Sequence, residues 1–159
     1  MTQTPGDHRW LDQAVALATR NVAEGGGPFG ALVVCGGEVV STGVNRVTRD
    51  NDPTAHAEVV AIRGACRERG DFALAGCVLF TSCEPCPLCL SSALWARLDR
   101  VVYAADRDDA ARGGFDDRAF YDLFGQERDA WPLPIQELRL DTAVMPFDAW
   151  LADAARTHY

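Results

Sequence analysis

Two short groups of residues in this sequence combine side chains that bind metals with one that moves protons: His56-Ala57-Glu58 and Cys86-Pro87-Leu88-Cys89. Cys86 and Cys89 are three positions apart at the start of a predicted helix, so their sulfur atoms share one face of it. Imidazole nitrogen and thiolate sulfur are ligands that Zn2+ prefers, and three protein ligands leave a fourth tetrahedral position open for water. The pattern therefore predicts that His56, Cys86 and Cys89 bind one catalytic zinc ion in each chain.

Glu58 lies two positions after His56, close enough to reach a water at the zinc without itself being a ligand. Zinc lowers the pKa of such a water toward ~7, which makes hydroxide available at neutral pH. If hydroxide attacks a ring carbon that carries an amine, the amine leaves readily only after it has received a proton. We predict that Glu58 takes that proton as general base and returns it as general acid, so that the chain is a hydrolase of C–N bonds.

Cys83 leaves a second interpretation of the metal site open, since it lies three residues before Cys86. With Cys83 as a fourth ligand, the zinc would be structural and closed to water. A Cys-x-x-Cys sequence is also typical of redox pairs, but such a pair does not need the His-x-Glu group. The other two histidines, His8 and His158, lie near the chain ends and are predicted to be solvated.

The composition favours a single globular domain that binds a small ligand. The 159 residues are 48% hydrophobic, and the formal net charge of -8 argues against a standing interface with nucleic acid. The polar start, Met1 to Asp7, does not resemble a signal peptide, and no apolar run is long enough for a membrane span, so we expect a cytoplasmic protein. In that compartment, Cys35, Cys66 and Cys77 are predicted to be buried thiols rather than disulfides.

Hydrophobic periodicity and turn residues predict that helices alternate with strands. The predicted helices are 10–24, 55–69 after an N-cap at Thr54, 87–97, 118–124 and 147–155, and the predicted strands are 31–35, 39–42, 77–81, 101–105 and 135–140, with a loop over 106–117. Gly36-Gly37 predicts a two-residue hairpin, and Val15 and Val22 fall on the predicted apolar face of the first helix. We predict an α/β fold, a three-layer α/β/α sandwich with a five-stranded mixed sheet, in one domain over 1–159.

Longer stretches of the sequence resemble the bacterial guanine deaminases of the cytidine-deaminase fold. Those stretches are GGPFGALVV at 26–34, NDPTAHAEVVAIR at 51–63, TSCEPCPLC at 81–89, WAR at 95–97, GFDD at 114–117 and PFDAW at 146–150. The zinc motif is common to the whole superfamily, whereas GFDD and the tail that ends in Tyr159 are more specific to the guanine branch. The resemblance implies that the chain converts guanine to xanthine and ammonia.

The resemblance also implies a set of substrate-binding residues: Phe29, Asn45, Ala57, Trp95, Asp117 and Tyr159. Phe29 is expected to stack on the base, Asn45 to hydrogen-bond the ring, and Trp95 to shape the pocket. Guanine presents N1–H and the 2-amino group side by side, and one carboxylate can accept from both, which suits Asp117. The resemblance further implies a homodimer that exchanges a C-terminal segment, here about 141–159, so that Tyr159 caps the site of the partner subunit.

Several of these side chains also have an ordinary structural interpretation. Phe29 and Trp95 could be core residues, and Asn45 could be a turn residue. One of the two acidic residues in GFDD, Asp116 or Asp117, could serve only as the cap of the next helix. The sequence leaves both interpretations open.

Two departures from the relatives leave the substrate open. Leu88 stands where many relatives have methionine, and Ser91-Ser92 follows where Gly-Ala is common. Hydroxyls near the pocket could change which base fits, so deamination of cytosine, cytidine, guanosine or an aminotriazine is an alternative. The acidity of the chain disfavours a tRNA adenosine deaminase, and the presence of Glu58 disfavours a non-catalytic, zinc-stabilised interaction protein.

Overall fold

The computed structural model of the chain describes residues 6–115 and 117–159. Its helices are Asp7–Ala23 (α1), Val47–Asp50 (α2), Ala57–Arg69 (α3), Pro87–Trp95 (α4), Arg107–Arg112 (α5), Arg118–Phe124 (α6) and Met145–Ala152 (α7), with a 3-10 turn at Arg128–Ala130. Its strands are Gly30–Cys35 (β1), Glu38–Val44 (β2), Cys77–Cys83 (β3) and Arg100–Ala105 (β4). None of the helices in those ranges is long and apolar enough to cross a membrane. The chain divides into two compact units, Met1–Tyr121 (unit 1) and Asp122–Tyr159 (unit 2).

The strands form one mixed sheet in unit 1, in the order β2-β1-β3-β4. Strand β1 runs antiparallel to both β2 and β3, whereas β3 and β4 are parallel. The turn between β1 and β2 is the predicted hairpin: Gly36 and Gly37 have φ values of 60° and 86°, a region that glycine enters without steric cost. The parallel pair is connected through α4, so the carboxyl end of β3 leads to the helix that carries two of the predicted zinc ligands.

The prediction of a fifth strand is wrong, since the sheet of the described residues has four strands and the segment 135–140 is not one of them. Its apolar side chains are more than half exposed, with Ile135 at 53%, Leu138 at 85% and Leu140 at 60%. An alternating pattern specifies a strand only where one face is buried against neighbours. No face of this segment is buried in that way, so the alternation did not determine its structure.

Alternate residues of β1 point to opposite faces of the sheet and belong to two separate hydrophobic clusters. Ala31 and Val33 belong to the cluster that includes residues of α3 and α4. Leu32 and Val34 belong to the cluster that includes residues of α1. Helices therefore lie against both faces of the sheet in unit 1.

Helix α1 contacts the sheet through a stripe that only partly matches the predicted one, which comprised Leu11, Val15, Ala18 and Val22; Ala18 is buried and Leu11 packs against the core as predicted. Its buried residues are Asp7, Trp10, Ala14, Ala18 and Asn21. Val15 and Val22, which were predicted to be buried, are 43% and 51% exposed. The reason is the short separation between α1 and β1, since a Cβ atom at Gly30 would overlap the helix backbone at Ala14 and Ala18. The small side chains of Ala14 and Ala18 therefore lie where α1 approaches β1 most closely.

Helix α3 begins later than predicted, with His56 rather than Thr54 at its N-cap position. The Thr54 hydroxyl donates to the Asp52 carboxylate at 2.7 Å, within the turn that precedes the helix. Thr54 therefore stabilises the approach to the helix and leaves the N-cap position to a predicted zinc ligand.

The segment 106–117 was predicted to be a loop, but it contains α5. Asp106 accepts from the backbone N–H groups of Asp108 and Asp109, and the Asp109 carboxylate accepts from the Asp106 N–H. This reciprocal capping box stabilises a helix of only six residues. Asp116, considered above as a helix cap, lies outside the described residues.

Cys35 and Cys77 form a disulfide, which corrects the prediction that they are separate core thiols. The two residues are directly paired in the register of β1 and β3, with Cα atoms 4.3 Å apart. Their separation of 42 residues hides this relationship, because the register of two strands far apart in the chain is not a local property. The free cysteines of the chain are Cys66, Cys83, Cys86 and Cys89.

Unit 2 has little interior of its own. Phe124 and Trp131 meet edge to face with ring centroids 5.2 Å apart, and Trp150 makes similar contacts with His158 and Tyr159 at 6.3 and 6.2 Å. Many apolar side chains of the unit are nevertheless more than half exposed: Leu133, Ile135, Leu138, Leu140, Met145, Phe147, Leu151 and Tyr159. A segment with this composition is expected to be covered by another surface.

Candidate active site

Two helix N-termini in unit 1 carry the predicted zinc ligands. His56 is the N-cap residue of α3. Cys86 is the N-cap residue of α4, with Pro87 at the first helical position and Cys89 in the first turn. Proline is pre-organised for that position, and the positive end of a helix dipole favours a thiolate. Local sequence therefore determines where each ligand lies on its helix.

The ligand atoms of His56, Cys86 and Cys89 lie within 4.8 Å of one another. The His56 Nδ1 atom is 3.5 Å from Cys86 Sγ and 3.4 Å from Cys89 Sγ, and the two sulfur atoms are 3.7 Å apart. Ligands on tetrahedral positions around Zn2+, at Zn–S and Zn–N bond lengths of about 2.3 and 2.0 Å, are themselves about 3.5–3.8 Å apart. The donor set therefore fits one tetrahedral zinc ion and supplies three of its ligands.

The three groups of the donor set shift one another's pKa values because they lie in contact. Hydrogen bonding with Cys89 and His56 lowers the pKa of the Cys86 thiol to about 4, so Cys86 is a thiolate at neutral pH. The contact with Cys86 raises the pKa of the Cys89 thiol, which keeps its proton and donates it to Glu58 Oε2 at 3.3 Å. The contact with Cys86 also raises the pKa of the His56 imidazole. A bound metal cation takes the place of protons shared in this way.

Glu58 lies in the first turn of α3 and is only 4% exposed. Its two carboxylate oxygens have different partners: Oε1 accepts from Thr81 Oγ1 at 3.1 Å, and Oε2 accepts from the Cys89 thiol at 3.3 Å. Burial raises the pKa of the Glu58 carboxyl. A buried carboxyl with a raised pKa beside a metal-binding donor set is suited to taking a proton and returning it near neutral pH.

Cys83 is not a member of the donor set found among the described residues. Its thiol donates to the backbone carbonyl of Asp106 at 3.6 Å. Burial raises the pKa of Cys83 to about 11, so it is a neutral thiol. The arrangement is therefore the three-ligand one of catalytic zinc rather than the closed, four-ligand structural one.

The donor set and Glu58 line a cavity of about 480 Å³ in unit 1. Three of the predicted substrate-binding residues, Phe29, Asn45 and Asp117, line the same cavity. Phe115, which is not among the residues predicted from the sequence, also lines the cavity, and its ring meets the Phe29 ring edge-on with centroids 4.9 Å apart. Phe115 lies within the GFDD stretch, so the resemblance contained a signal for it. Aromatic walls beside a carboxylate suit a planar heterocycle that presents N–H donors.

The position of Asn45 depends on a second residue that sequence analysis did not identify. Asn21 is 1% exposed, and its Nδ2 donates to the backbone carbonyls of Gly27 and Asn45, both at 2.8 Å. It therefore joins the end of α1 to two segments that line the cavity. Asn45 also has the turn role considered above, because its Oδ1 accepts from the Val47 N–H at 3.3 Å. Asn21 could have been identified from the sequence as an amide side chain on the buried face of α1, where polar residues are uncommon.

The other predicted substrate-binding residues are not among the described residues that line the cavity. Ala57 is fully buried in the hydrophobic core. Trp95 is 62% exposed at the end of α4, with the Arg97 guanidinium 5.7 Å from its ring centroid. Tyr159 belongs to unit 2 and is 73% exposed. Their roles toward a substrate stay predictions.

The two serines that were expected to affect the pocket also lie elsewhere. Ser91 is exposed on the patch that contains Trp95. The Ser92 hydroxyl donates to the backbone carbonyl of Leu88, one turn earlier in α4, at 2.9 Å. Neither serine is among the described residues that line the cavity. The two hydroxyls therefore do not influence the pocket through direct contact, contrary to the expectation.

An ion pair supports the loop between β3 and α4. Glu84 and Arg107 form a hydrogen-bonded pair, and the Arg107 backbone N–H donates to Glu84 Oε2 at 3.1 Å. The Arg107 guanidinium lies 4.1 Å from the ring centroid of Tyr121, whose hydroxyl donates to the Pro85 carbonyl at 2.6 Å. These contacts hold the two residues that immediately precede Cys86, so they help to position this predicted zinc ligand.

The site residues fall within a region of known type. Residues 5–105 match the family model of the cytidine and deoxycytidylate deaminase zinc-binding region. The chain belongs to this zinc-dependent deaminase family. It is therefore a zinc-dependent hydrolase that acts on C–N bonds, and zinc is its cofactor.

Within the deaminase family, the chain is 46% identical to guanine deaminase of Bacillus subtilis over 151 residues, which cover 94% of this chain and 97% of that protein. The X-ray structure of guanine deaminase from Bacillus subtilis matches with a TM-score of 0.93 at 45% identity, covering 96% of this chain and 98% of that one. A tRNA-specific adenosine deaminase of Aquifex aeolicus is 38% identical over 100 residues, covering 63% of this chain and 66% of that protein. The similarity to guanine deaminase thus spans nearly the whole chain, whereas the similarity to the tRNA enzyme is partial.

Proposed function

We propose that this deaminase hydrolyses guanine to xanthine and ammonia. The observation that carries the proposal is the position of Glu58 beside a His56, Cys86 and Cys89 donor set, in one cavity with aromatic rings and the Asp117 carboxylate. The near full-length similarity to a guanine deaminase supports guanine as the base.

The reaction adds one water to C2 of guanine, the ring carbon that carries the 2-amino group, and breaks the bond between C2 and the amine nitrogen. Zinc, when bound by His56, Cys86 and Cys89, supplies the positive charge that makes a water nucleophilic at neutral pH. Glu58 takes a proton from the attacking water on a carboxylate oxygen and returns it to the amine nitrogen. Ammonia then leaves as a neutral molecule. The second proton of the water ends on ring N3, and the ring keeps the oxygen as the new C2 carbonyl of xanthine.

Residues on the walls of the cavity bind guanine in this proposal. The Asp117 carboxylate accepts from guanine N1–H and the 2-amino group, which are adjacent donors. Phe29 stacks on the ring, with Phe115 beside it, and Asn45 hydrogen-bonds the base. Adenine lacks the 2-amino donor and carries no proton on N1, so it offers neither of the two donors from which the Asp117 carboxylate is proposed to accept.

We further propose that the chain is a homodimer in which the segment of about 141–159 is exchanged, so that the partner's Tyr159 covers the cavity. Support comes from unit 2, where Phe147, Leu151 and Tyr159 are 69%, 65% and 73% exposed. Burial of apolar area contributes about 25 cal/mol per Å², so covering these side chains stabilises an assembly. We also propose that unit 1 is a three-layer α/β/α sandwich and that the protein is located in the cytoplasm.

A second candidate is deamination of a nucleoside such as guanosine. The observation that favours it is the cavity of about 480 Å³, which offers more space than a bare planar base. A ribose would extend toward the Gly25-Gly26-Gly27 turn or toward Thr48, which also line the cavity. Coverage by the partner's Tyr159 would remove that space. Deamination of guanosine therefore requires a cavity that the tail leaves open, whereas the proposed guanine deaminase has a cavity that the tail covers.

An ammonia-release assay on the zinc-loaded protein separates the candidates. Guanine, guanosine, cytosine, cytidine, adenine and an aminotriazine are compared at equal concentration, and xanthine is identified by its ultraviolet spectrum. Release from guanine alone supports the proposed function. Release of ammonia from another compound, with none from guanine, would overturn guanine as the substrate while leaving the hydrolytic chemistry in place.

A further inference from the structure

Thr81 lies on an inner strand of the sheet and contacts the carboxylate on which the proposed reaction depends. It belongs to β3, which lies between β1 and β4, and it is completely buried, with 0% exposure. The strand register pairs Thr81 with Ala31 on one side and Tyr103 on the other. Pairing on both sides fixes the backbone from which the hydroxyl reaches Glu58.

The Thr81 hydroxyl has two acceptors within reach and lies closer to Glu58. Its Oγ1 atom is 3.1 Å from Glu58 Oε1 and 3.5 Å from the Gly30 carbonyl oxygen. A hydrogen bond to an ionised carboxylate is roughly twice as strong as one to a neutral carbonyl. The β-branched side chain also has few rotamers, so the hydroxyl keeps its direction toward Oε1.

The second carboxylate oxygen of Glu58 is in a different situation. Oε2 accepts from the Cys89 thiol at 3.3 Å, and Cys89 is a member of the donor set. A cysteine binds a metal as thiolate, which has no proton to donate. Thr81 is not a member of the set, so its hydrogen bond to Oε1 persists when the metal is bound. Oε1 is then the anchored oxygen, and Oε2 is the one that exchanges a proton.

We infer that Thr81 is a positioning residue, which holds the Glu58 carboxylate in its working orientation through the hydrogen bond from Thr81 Oγ1 to Glu58 Oε1. The inference rests on the proposed function, because it takes Glu58 as the group that moves the proton. Without the hydroxyl, Oε1 loses its donor and the carboxylate is free to rotate. A misplacement of about 1 Å at a reacting group costs on the order of 100-fold in rate.

Thr81→Val removes the hydroxyl and keeps a β-branched side chain of similar size. We expect kcat for guanine to fall roughly 10- to 100-fold, with KM changed by less than about threefold, because the substrate contacts are retained. Zinc should stay at one per chain. Thr81→Ser restores the hydroxyl and should return kcat to within about threefold of the parent enzyme.

Ser82→Ala is the matched control. Its hydroxyl is also buried on β3, but it accepts from the Gly30 N–H at 3.1 Å rather than contacting Glu58. This variant should keep the parental kcat. A parental kcat in Thr81→Val, a loss of zinc together with activity in that variant, or a Thr81→Ser variant as slow as Thr81→Val would overturn the inference. If valine prevents folding, Thr81→Ala and Thr81→Ser differ only in the hydroxyl, and equal kcat values for those two would overturn it as well.

Thermal unfolding separates a failure of this inference from a failure of the proposed function. The Tm is measured for zinc-loaded Thr81→Val, Glu58→Ala and the double variant. Because the two side chains share a buried hydrogen bond, we expect the double variant to lose less than the sum of the single losses. Additive losses would overturn the inference even if guanine is turned over. Coupled losses in a protein that releases no ammonia from guanine would support the contact and overturn the proposed function alone.

Discussion

The rings of Phe29 and Phe115 meet edge to face on the wall of the cavity, with centroids 4.9 Å apart and ring planes at 85°. Phe29 immediately precedes β1, so the sheet fixes its position, whereas Phe115 lies in the segment between α5 and α6. The contact therefore ties a connecting segment to the rigid part of unit 1. The two rings form an aromatic corner beside Asp117 and the donor set.

Replacement of either ring should weaken substrate binding more than it slows the reaction. Stacking of a base on an aromatic side chain contributes about 1–3 kcal/mol, so we expect Phe29→Leu and Phe115→Leu each to raise KM for guanine by roughly 5- to 160-fold. Steady-state kinetics measure this directly. Phe72→Leu is the control, because Phe72 is 48% exposed and is not among the residues that line the cavity. An unchanged KM in both ring variants would remove this corner from substrate binding.

Asp117→Asn should abolish guanine turnover while zinc is retained. The asparagine amide would present a donor to the donors of the guanine edge, and a mismatch of this kind in a buried site costs 10⁴- to 10⁵-fold in the most selective cases, so we expect a loss of kcat/KM of at least about 100-fold. The zinc content is measured by atomic absorption, with the exposed Asp12→Asn variant as control. Parental kinetics for Asp117→Asn would exclude Asp117 from base recognition.

The residues of the donor set, which the structure brings together, could be identified from the sequence because each group is local. Cys86 and Cys89 lie in one helical turn, and His56 and Glu58 are two positions apart, so a few consecutive residues determine each half of the donor set. The residues that support the site could not be read in this way. Thr81 reaches Glu58 from a different element, and Asn21 reaches the Asn45 carbonyl across 24 positions.

The same distinction explains which parts of the fold were predicted. The Gly36-Gly37 hairpin follows from two adjacent residues, and the structure contains it. The buried stripe of α1 depends on where the helix crosses Gly30, and the disulfide depends on the register of β1 against β3. Both are properties of pairs of distant segments, on which a local pattern carries little information.

Substitution of Cys89, a predicted zinc ligand, and of Cys83, which is outside the donor set, should have different effects on bound zinc. Cys89→Ser should lose bound zinc and all turnover, because the hydroxyl is a poor ligand and the donor set is reduced to two. Cys83→Ser should keep one zinc per chain and most of its activity, since the Cys83 thiol contacts the Asp106 carbonyl rather than the donor set. Dialysis of the parent enzyme against a chelator should remove activity reversibly. Zinc loss in Cys83→Ser would restore the four-ligand interpretation.

The disulfide between Cys35 and Cys77 should support stability and leave catalysis unchanged. It closes a loop of 42 residues, for which the chain-entropy model gives about 4 kcal/mol. We therefore expect Cys35→Ser/Cys77→Ser to lower the Tm by roughly 8–15 °C, with an unchanged kcat, because Cys77 begins β3 and the zinc ligands follow its other end.

Counting thiols tests the same bond chemically. Denatured, zinc-free protein should react with four equivalents of a thiol reagent before reduction, matching the four free cysteines, and with all six after it. Six reactive thiols before reduction would show that Cys35 and Cys77 are not bonded in the purified protein.

The exposed apolar side chains of unit 2 predict that charge in the tail disrupts both assembly and activity. Phe147 and Leu151 are 69% and 65% exposed, so an aspartate at either position is tolerated in an isolated chain but is costly in an apolar interface. We expect Phe147→Asp and Leu151→Asp to shift the protein from dimer to monomer in light scattering. Turnover of guanine should fall at least about tenfold in the monomers, because the partner's Tyr159 no longer covers the cavity. Val39→Asp on β2, at 38% exposure, is the control for an added charge. A parent enzyme that is monomeric and fully active would contradict the exchanged tail.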